Sequence, residues 1–349
     1  MVKARKYVVI KRFNGNPKRS DFEIVTYDLP PLQDQQILVK VEWISVDPYM
    51  RPYVSNYNLP YDQFGYQVGI VQESKNNKYP VGSRVVSHNG WCDYCIMNPD
   101  IVIRTHIYGI PHCIAYKLPD ELQGLSASLS VGAVGFAGAA AYFGLLNICK
   151  AKMGQTVVIT TAAGAVGHIA GQIAKIHDCK VIGFTGRDDK VQWLKEELGF
   201  DYAFNYKTVD IKRALTQAAP YGVDCYFDNV GGELSNAILQ HMKQYGRVAI
   251  SGCLSAQNES RTKTFQPNVI QPTILVKQLR VEGFLAFRWI VSWPEAFTNL
   301  AKWIKSGELK VKEQVTEGFD NIVNALVGML SGHNFGKAVV KGLLMIDGD

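Results

Sequence analysis

Apolar and polar positions follow two different periods along this chain, and the change of period divides it. Up to about residue 130 the apolar runs are short and strand-like: 7–10 (Tyr-Val-Val-Ile), 22–26 (Phe-Glu-Ile-Val-Thr), 36–43 (Gln-Ile-Leu-Val-Lys-Val-Glu-Trp), 69–73 and 83–88. Asn-Gly-Asn-Pro at 14–17, Pro-Pro at 30–31 and Pro-Val-Gly at 80–82 punctuate them as turns. No stretch of helical period precedes about residue 126. The Gly/Ala-rich stretch 125–146, broken by Ser and Tyr, reads as a packed turn and helix, not as a membrane span.

After that the pattern alternates between strand and helix. Val157, Val158 and Ile159 form a β-branched run of the kind buried on both faces of a sheet. Ala-Ala-Gly-Ala-Val-Gly at 162–167 follows, then a helical face of Val166, Ile169, Ala170 and Ile173. Strand, glycine turn and helix form the opening unit of a dinucleotide-binding domain. Gly164 lets the backbone approach a pyrophosphate, Gly167 lets the helix pack on the strand, and the helix N-terminus offers N–H groups to anions. The first glycine of the usual motif is replaced by Ala162. Further strands are expected at 180–184, 202–206, 223–228, 246–251 and 279–285. A helix is expected at 188–198, with Asp188 and Asp189 as caps and Gly199 as its stop. Helices at 293–306 and 319–330 and a strand at 336–341 close the pattern. The fold class is therefore α/β. A Rossmann doubly wound parallel sheet is expected over 131–311, and a mainly β domain over 1–130 and 312–349, with a cleft between them as the active site.

Composition narrows the functional classes. The 349 residues are 47% apolar and carry a net charge of +6, with basic residues scattered and not in runs. That distribution excludes a nucleic-acid partner and suits an enzyme of anionic cofactors. The first residues lead into a strand without an apolar or Arg/Ser-rich leader, so no targeting or membrane segment is expected. Seven widely spaced cysteines point to reduced thiols and a cytoplasmic setting.

Several motifs together carry a resemblance to a known family. They are Ser-Val-Asp-Pro-Tyr-Met-Arg at 45–51, Ala-Tyr-Phe-Gly-Leu-Leu at 141–146, the glycine turn, Phe-Asn-Tyr-Lys-Thr at 204–208, Asp-Cys-Tyr-Phe-Asp-Asn-Val-Gly-Gly at 224–232, Arg288-Trp289 and Asn-Phe-Gly-Lys at 334–337. On these the chain resembles the zinc-independent branch of the medium-chain dehydrogenase/reductase superfamily, and within it the prostaglandin reductases and plant alkenal double-bond reductases. The resemblance covers nearly the whole chain. It implies a GroES-like catalytic domain beside the nucleotide domain.

The cofactor reading rests on both residues and resemblance. An NAD-binding unit places a carboxylate at the tip of the second strand, where this chain has Thr185, Gly186 and Arg187. Arg187 and Lys190 stand where a 2′-phosphate would bind, and Tyr206 adds a hydroxyl, so NADPH is expected over NADH. The resemblance implies phosphate contacts at Lys190 and Tyr206. It further implies that Gly164, Ala165, Val166, Gly167, Asn229, Ser251, Gly252, Cys253, Phe284, Leu285, Ala286 and Asn334 line the rest of the cofactor. It also implies a homodimer through the edge of the nucleotide sheet, with 279–285 as the edge strand.

No metal is expected. Cys92 and Cys95 form a C-x-x-C near His88, but a structural zinc needs four ligands and no second pair follows. Zinc-dependent relatives have a cysteine where this chain has Ser-Val-Asp at 45–47, and Gly-His-Glu where it has Gly-Tyr-Gln at 65–67. The two thiols are expected on a strand. None of the histidines has a ligand spacing; His168, in the first turn of the cofactor helix, is expected to pack on the helix surface.

Without a Lewis acid, reduction of a conjugated C=C bond asks least of the protein: hydride to the β-carbon of an enone or enal, enolate charge held by hydrogen bonds, a proton to the α-carbon. Tyr49 is the expected donor; Asp47 and Arg51 fix its loop, and Arg51 and Gln257 face the substrate. Gln257 stands where many relatives of the resembled family carry a tyrosine, and an amide is a very poor general acid. Tyr53, Tyr57, Tyr61 and Tyr66 are alternative donors among which the sequence does not choose. The competing readings are a zinc-free NADPH quinone reductase and a cofactor-binding protein without turnover.

Overall fold

The computed structural model describes residues 2–52, 54, 57–104, 111–113, 115–257 and 269–342. They fall into two compact units. One takes the described residues of Met1–Gly135, Glu313–Asn334 and Ala338–Asp349; the other takes those of Phe136–Lys312 and Phe335–Lys337.

The first unit is mainly β. Its strands are β1 (Lys3–Val9), β2 (Phe22–Asp28), β3 (Ile37–Ser45), β4 (Tyr61–Asp62), β5 (Gln67–Ser74), β6 (Arg84–Ser87), β7 (Tyr94–Met97), β8 (Val102–Arg104), β9 (Pro111–Cys113) and β10 (Ala115–Lys117). Two more come from the far end of the chain, β17 (Glu313–Glu317) and β18 (Lys337–Lys341). One sheet runs β2-β1-β4; the larger runs β10-β6-β5-β3-β18-β17, with β7 also on β3. The turn at 80–82 joins β5 to β6 as the glycine and proline spacing predicts, with Gly82 at φ +86°. A helix, Ile322–Leu330, buries Ile322, Val323 and Leu326 against Tyr7, Phe22, Trp91 and Val340. Those apolar positions recur at helical spacing, which aims one face at the core.

The second unit is a six-stranded parallel sheet: β11 (Thr156–Thr160), β12 (Lys180–Thr185), β13 (Tyr202–Asn205), β14 (Val223–Asp228), β15 (Met242–Ile250) and β16 (Arg280–Gly283). Its order is β13-β12-β11-β14-β15-β16. Counted within the unit this is 3-2-1-4-5-6, the doubly wound nucleotide-binding order, with its switch point beside the first strand. Val157, Val158 and Ile159 are fully buried, as their β-branched run predicts. The helices are α1 (Phe136–Phe143), α2 (Gly167–Ile176), α3 (Asp188–Glu196), α4 (Ile211–Ala218), α5 (Gly232–Gln240), α6 (Leu254–Gln257), α7 (Gln271–Lys277) and α8 (Trp293–Ser306); Ile322–Leu330 of the first unit is α9. Among the described residues no helix is long and apolar enough to cross a membrane.

A buried carboxylate ties the carboxyl ends of these strands together. One oxygen of Asp228, the last residue of β14, accepts hydrogen bonds from the backbone N–H groups of Val230 and Gly231, both at 2.9 Å, and from Thr160 Oγ1 at 3.4 Å. Its other oxygen accepts from Ser235 Oγ at 2.7 Å. Asn229 completes the knot: its N–H reaches Thr160 Oγ1 at 2.9 Å and its Nδ2 reaches the Thr160 carbonyl at 2.7 Å. The ends of β11 and β14, the following loop and the start of α5 are thus one hydrogen-bonded object. Replacing Asp228 by Ala leaves the Val230 and Gly231 amides and the buried Ser235 hydroxyl without their partner, at about 1 kcal/mol or more for each group. We expect Asp228→Ala to lose about 3–5 kcal/mol of stability in urea unfolding, and Asp228→Asn to lose less, since it keeps one carbonyl oxygen. Equal stability of the Ala variant and the wild type would remove the carboxylate from this role.

Candidate active site

The glycine turn lies where the sheet order places a ligand. Gly167 cannot carry a side chain: a Cβ there would stand 2.3 Å from the Thr161 carbonyl oxygen and 2.8 Å from Ala162 Cα. The backbone of α2 is thereby laid directly on the end of β11. Thr161, β-branched, is held at φ +50° at the base of this turn, a conformation that costs such a residue of order 1–3 kcal/mol. Gly164 forms a parallel bridge with Gly336, and the Gly336 N–H donates to the Ala163 carbonyl at 2.9 Å. The segment Phe335–Lys337 therefore runs along the turn. Gly336, at φ +57°, passes so close to Lys312 that a Cβ would lie 2.0 Å from its carbonyl oxygen.

His168 does not pack on the helix surface as expected. It is fully buried, with Nδ1 at 2.7 Å from the Gly164 carbonyl and its ring 5.8 Å from Trp193. Burial pushes its pKa down to about 4. The imidazole is neutral and braces the turn from beneath, with Nδ1–H donating to the carbonyl.

The tip of β12 gathers positive charge. Arg187 pairs with Asp189, its Nε donating at 3.0 Å. Lys190 is largely buried, and burial followed by the Arg187 charge and then the Lys207 charge pushes its pKa down to about 8, against an opposing pull from Asp189. The expectation that Asp188 and Asp189 cap α3 is not met. The cap residue is Arg187 and it makes no side-chain cap bond. Asp188 instead accepts from Asn205 Nδ2 at 2.8 Å, joining α3 to β13, while Asp189 accepts both from Arg187 and from the first-turn N–H of Lys190, the latter at 2.8 Å. The Tyr206 ring packs on Gly186, and the phenol is 40% exposed, open to a ligand beside Arg187. Arg187 and Lys190 both stand 5.7 Å from the centroid of Phe335. Lys207 and Phe335 join this group without any local sequence signal beyond their place in the motifs at 204–208 and 334–337.

Asn229 is buried in the knot described above, and its loop packs on the loop after β15. Ser251 and Gly252 donate their N–H groups to the Asp228 carbonyl at 2.8 and 3.2 Å, and Cys253 is exposed. Phe284 hydrogen-bonds through its N–H to Ile250 at 3.1 Å and sets its ring edge-on to Phe227. Leu285 precedes a 3-10 turn, Ala286–Ser292, in which Ala286 is buried. Gln257 closes α6; its side chain, like Tyr53, Asn258 and the whole of His106, lies outside the described residues.

These residues fit a phosphorylated dinucleotide by their own chemistry. They combine glycines that have no room for a Cβ at 164 and 167, a half-buried stretch 164–166 leading into α2, and the neighbouring cations Arg187, Lys190 and Lys207. An anion is what such a donor set accepts.

In the mainly β unit, Tyr49 sits in a 3-10 turn, Pro48–Met50, directly after β3. Its ring stacks on Phe64 at 6.0 Å and 13°. Phe64 also stacks on Tyr57, Tyr61 and His88, and Tyr57 on Tyr61 at 4.7 Å. Burial raises the pKa of both Tyr57 and Tyr61, so each keeps its proton through the physiological range. Tyr66 is buried edge-on to His88. Asp47 accepts from Ser45 Oγ and Arg51 is buried, which fixes the backbone around Tyr49. Cys95 lies on β7 and Cys92 just before it, bridged to Lys6. Both are buried in an apolar cluster with Ile37, Val39 and Val71, and they share the amide of Gln67 at 3.4 and 3.6 Å. The hydrogen bond with Cys95, and burial, push the Cys92 thiol pKa well up. Among the described residues no group of three or more His, Cys, Asp or Glu side chains could hold a metal.

Comparison with known proteins agrees with this geometry. Residues 5–104 match the family described as N-terminal domain of oxidoreductase, and residues 165–306 the family described as zinc-binding dehydrogenase. Prostaglandin reductase 1 of Bos taurus is 44% identical over 98% of this chain and 100% of its own length. The 2-alkenal reductase (NADP(+)-dependent) of Nicotiana tabacum is 36% identical over 97% of each chain. The crystal structure of CurA in complex with NADPH from Vibrio vulnificus superposes with a TM-score of 0.86 at 29% identity, covering 97% of this chain and 99% of that one. With its Rossmann order, its glycine turn and relatives that match it from end to end, the chain belongs to the zinc-independent medium-chain dehydrogenase/reductase family.

Proposed function

We propose that this protein is an NADPH-dependent reductase of carbon–carbon double bonds conjugated to a ketone or aldehyde. The observation that carries the reading is the basic cluster of Arg187, Lys190 and Lys207 beside Tyr206, set next to the glycine turn in a chain whose relatives are named as prostaglandin and alkenal reductases. NADPH, when bound, supplies the reducing equivalent as hydride.

The chain's own residues do the rest. The half-buried stretch 164–166 and the N-terminal end of α2 receive the pyrophosphate, and Arg187, Lys190 and Tyr206 receive the 2′-phosphate. Tyr49 donates its phenolic hydrogen bond to the substrate carbonyl oxygen, where negative charge develops as the β-carbon is reduced. Its stacking on Phe64 holds the ring in place, so little reorganisation accompanies the reaction. Arg51 and Gln257 belong to the substrate's surroundings in this reading, and Asn334 to the nicotinamide's. A zinc-free quinone reductase shares the cofactor site and differs in its acceptor.

Steady-state assays with NADPH and a panel of one enone, one enal and one quinone test the reaction. We expect turnover of the enone and enal, undiminished by chelator. Tyr49→Phe is expected to lower kcat about a hundredfold, as for loss of one donor to a developing oxyanion, with little change in KM. Turnover of the quinone alone, or an unimpaired Tyr49→Phe, would overturn the assignment.

The protonation of Lys190 sets a pH dependence. Its pKa in the free protein is about 8, so the ammonium that binds phosphate is present below that pH and lost above it. NADPH affinity is expected to fall as pH rises from 7 to 9.5, by at most about tenfold per unit above the pKa. NADH, which lacks the phosphate, shows no such step, and Lys190→Met flattens the NADPH curve. Fluorescence titration across this range checks it; identical profiles for the two cofactors would count against the site.

The same reading includes a homodimer through the edge of the nucleotide sheet. β16 is the terminal strand there, and Leu275, Val276 and Val269 beside it are 77%, 74% and 72% exposed. Such an edge with apolar neighbours favours pairing with a second copy. Sedimentation is expected to give a dimer for the wild type and a monomer for Leu275→Glu/Val276→Glu; a monomeric wild type would refute it.

A further inference from the structure

We propose that Lys312, resting on the ring of Phe335, is a phosphate-binding residue of the nucleotide site and a determinant of preference for a dinucleotide with a phosphate monoester on its adenosine ribose. The inference rests on the NADPH reading above and extends it to two residues from the chain's return segment.

Backbone contacts pin both residues beside the glycine turn. The Lys337 N–H donates to the Lys312 carbonyl at 3.0 Å, and the Gly336 N–H donates to Ala163 at 2.9 Å. Because a Cβ at 336 would collide with the Lys312 carbonyl oxygen, the two segments approach as closely as only glycine permits. Phe335 is thereby held against the turn, with its ring edge-on to Trp193 at 5.5 Å.

Three cations then share one ring. Lys312 Nζ stands 4.6 Å from the Phe335 centroid, and Arg187 and Lys190 each stand 5.7 Å from it. Lys312 also lies 5.2 Å from the centroid of Trp193. Lys207 adds a fourth positive charge to Lys190's surroundings, and the carboxylate facing this group is Asp189, already bound by Arg187. Lys312 makes no ion pair among the described residues, and its side chain reaches solvent.

An aromatic face attracts cations but accepts no hydrogen bond of the strength an ammonium makes to an oxygen. The ring therefore acts as a platform that gathers the cations, and the exposed Lys312 ammonium on it keeps its N–H donors for a ligand. A phosphate monoester dianion supplies the missing charge and three acceptor oxygens. A ribose hydroxyl supplies neither, so the energetic gain from Lys312 is confined to the phosphorylated dinucleotide.

The test is a set of binding titrations on the full chain. Kd values for NADPH and NADH, and for adenosine 2′-monophosphate against adenosine 5′-monophosphate, are measured for the wild type, Lys312→Met, Lys312→Arg and Phe335→Leu. The exposed position of Lys312 keeps folding out of the comparison, and thermal unfolding controls for Phe335→Leu. Lys312→Met is expected to weaken NADPH and adenosine 2′-monophosphate about tenfold, the equivalent of about 1.4 kcal/mol, without moving NADH. Lys312→Arg restores most of the loss, and Phe335→Leu lies between. A wild type that binds NADH as tightly as NADPH overturns the cofactor reading itself. A wild type that prefers NADPH, with the preference intact in Lys312→Met, overturns the role of Lys312 and leaves the cofactor reading standing.

Discussion

The carboxylate of Asp228 is the constraint on which the nucleotide unit depends. Parallel strands end in backbone groups that the next loop must satisfy, and those loops carry the ligand contacts. Here one buried anion accepts from two amides of the loop after β14, from Thr160 at the end of β11 and from Ser235 at the start of α5. Asn229 answers with two bonds to Thr160. The loop after β15 then packs on this knot through Ser251 and Gly252. A buried charge is tolerated only when its hydrogen bonds are complete, so completing them fixes the relative placement of three strand ends at once.

Close backbone approach is the second organising element. Gly167 lays α2 on Thr161, and Gly336 lays the return segment on Lys312 and the glycine turn. Neither contact adds a side chain to the site. Their effect is to bring Phe335 and Lys312 next to Arg187 and Lys190, residues more than a hundred positions away in the chain. Positive charge gathers there, and the pKa of Lys190 is depressed first by its burial and then by the charge of Arg187. His168 belongs to the same arrangement, as a neutral donor to Gly164 beneath the turn.

The mainly β unit gathers stacked aromatic rings around the loop after β3. Tyr49 lies against Phe64, which also carries Tyr57, Tyr61 and His88. Burial keeps the phenols of Tyr57 and Tyr61 protonated. Cys92 and Cys95 sit in an apolar core with their thiols turned to the Gln67 amide. For Cys92 the hydrogen bond with Cys95, and burial, keep the thiol protonated and so unreactive.

Much of this was legible in the order of residues alone. The β-branched run at 157–159, the glycine turn and the recurring strand and helix periods pointed to a doubly wound parallel sheet, because burial on both faces of a strand imposes a local pattern that sequence records directly; its strand order came from the structure. Arg187, Lys190 and Tyr206 could be picked out because they lie at a set distance from that turn. What only the tertiary structure decided were partnerships across long separations. Asp188 and Asp189 look like caps in the sequence, yet Asn205 claims the first and Arg187 shares the second with the Lys190 N–H. His168 looks like a surface residue, yet the turn and Trp193 enclose it. Phe335 and Lys312 show no local signal of a role, since their place beside the cofactor turn comes from a backbone contact at Gly336 between segments far apart in the chain. Local periodicity encodes which face of an element is buried; it does not encode which distant side chain will lie against it.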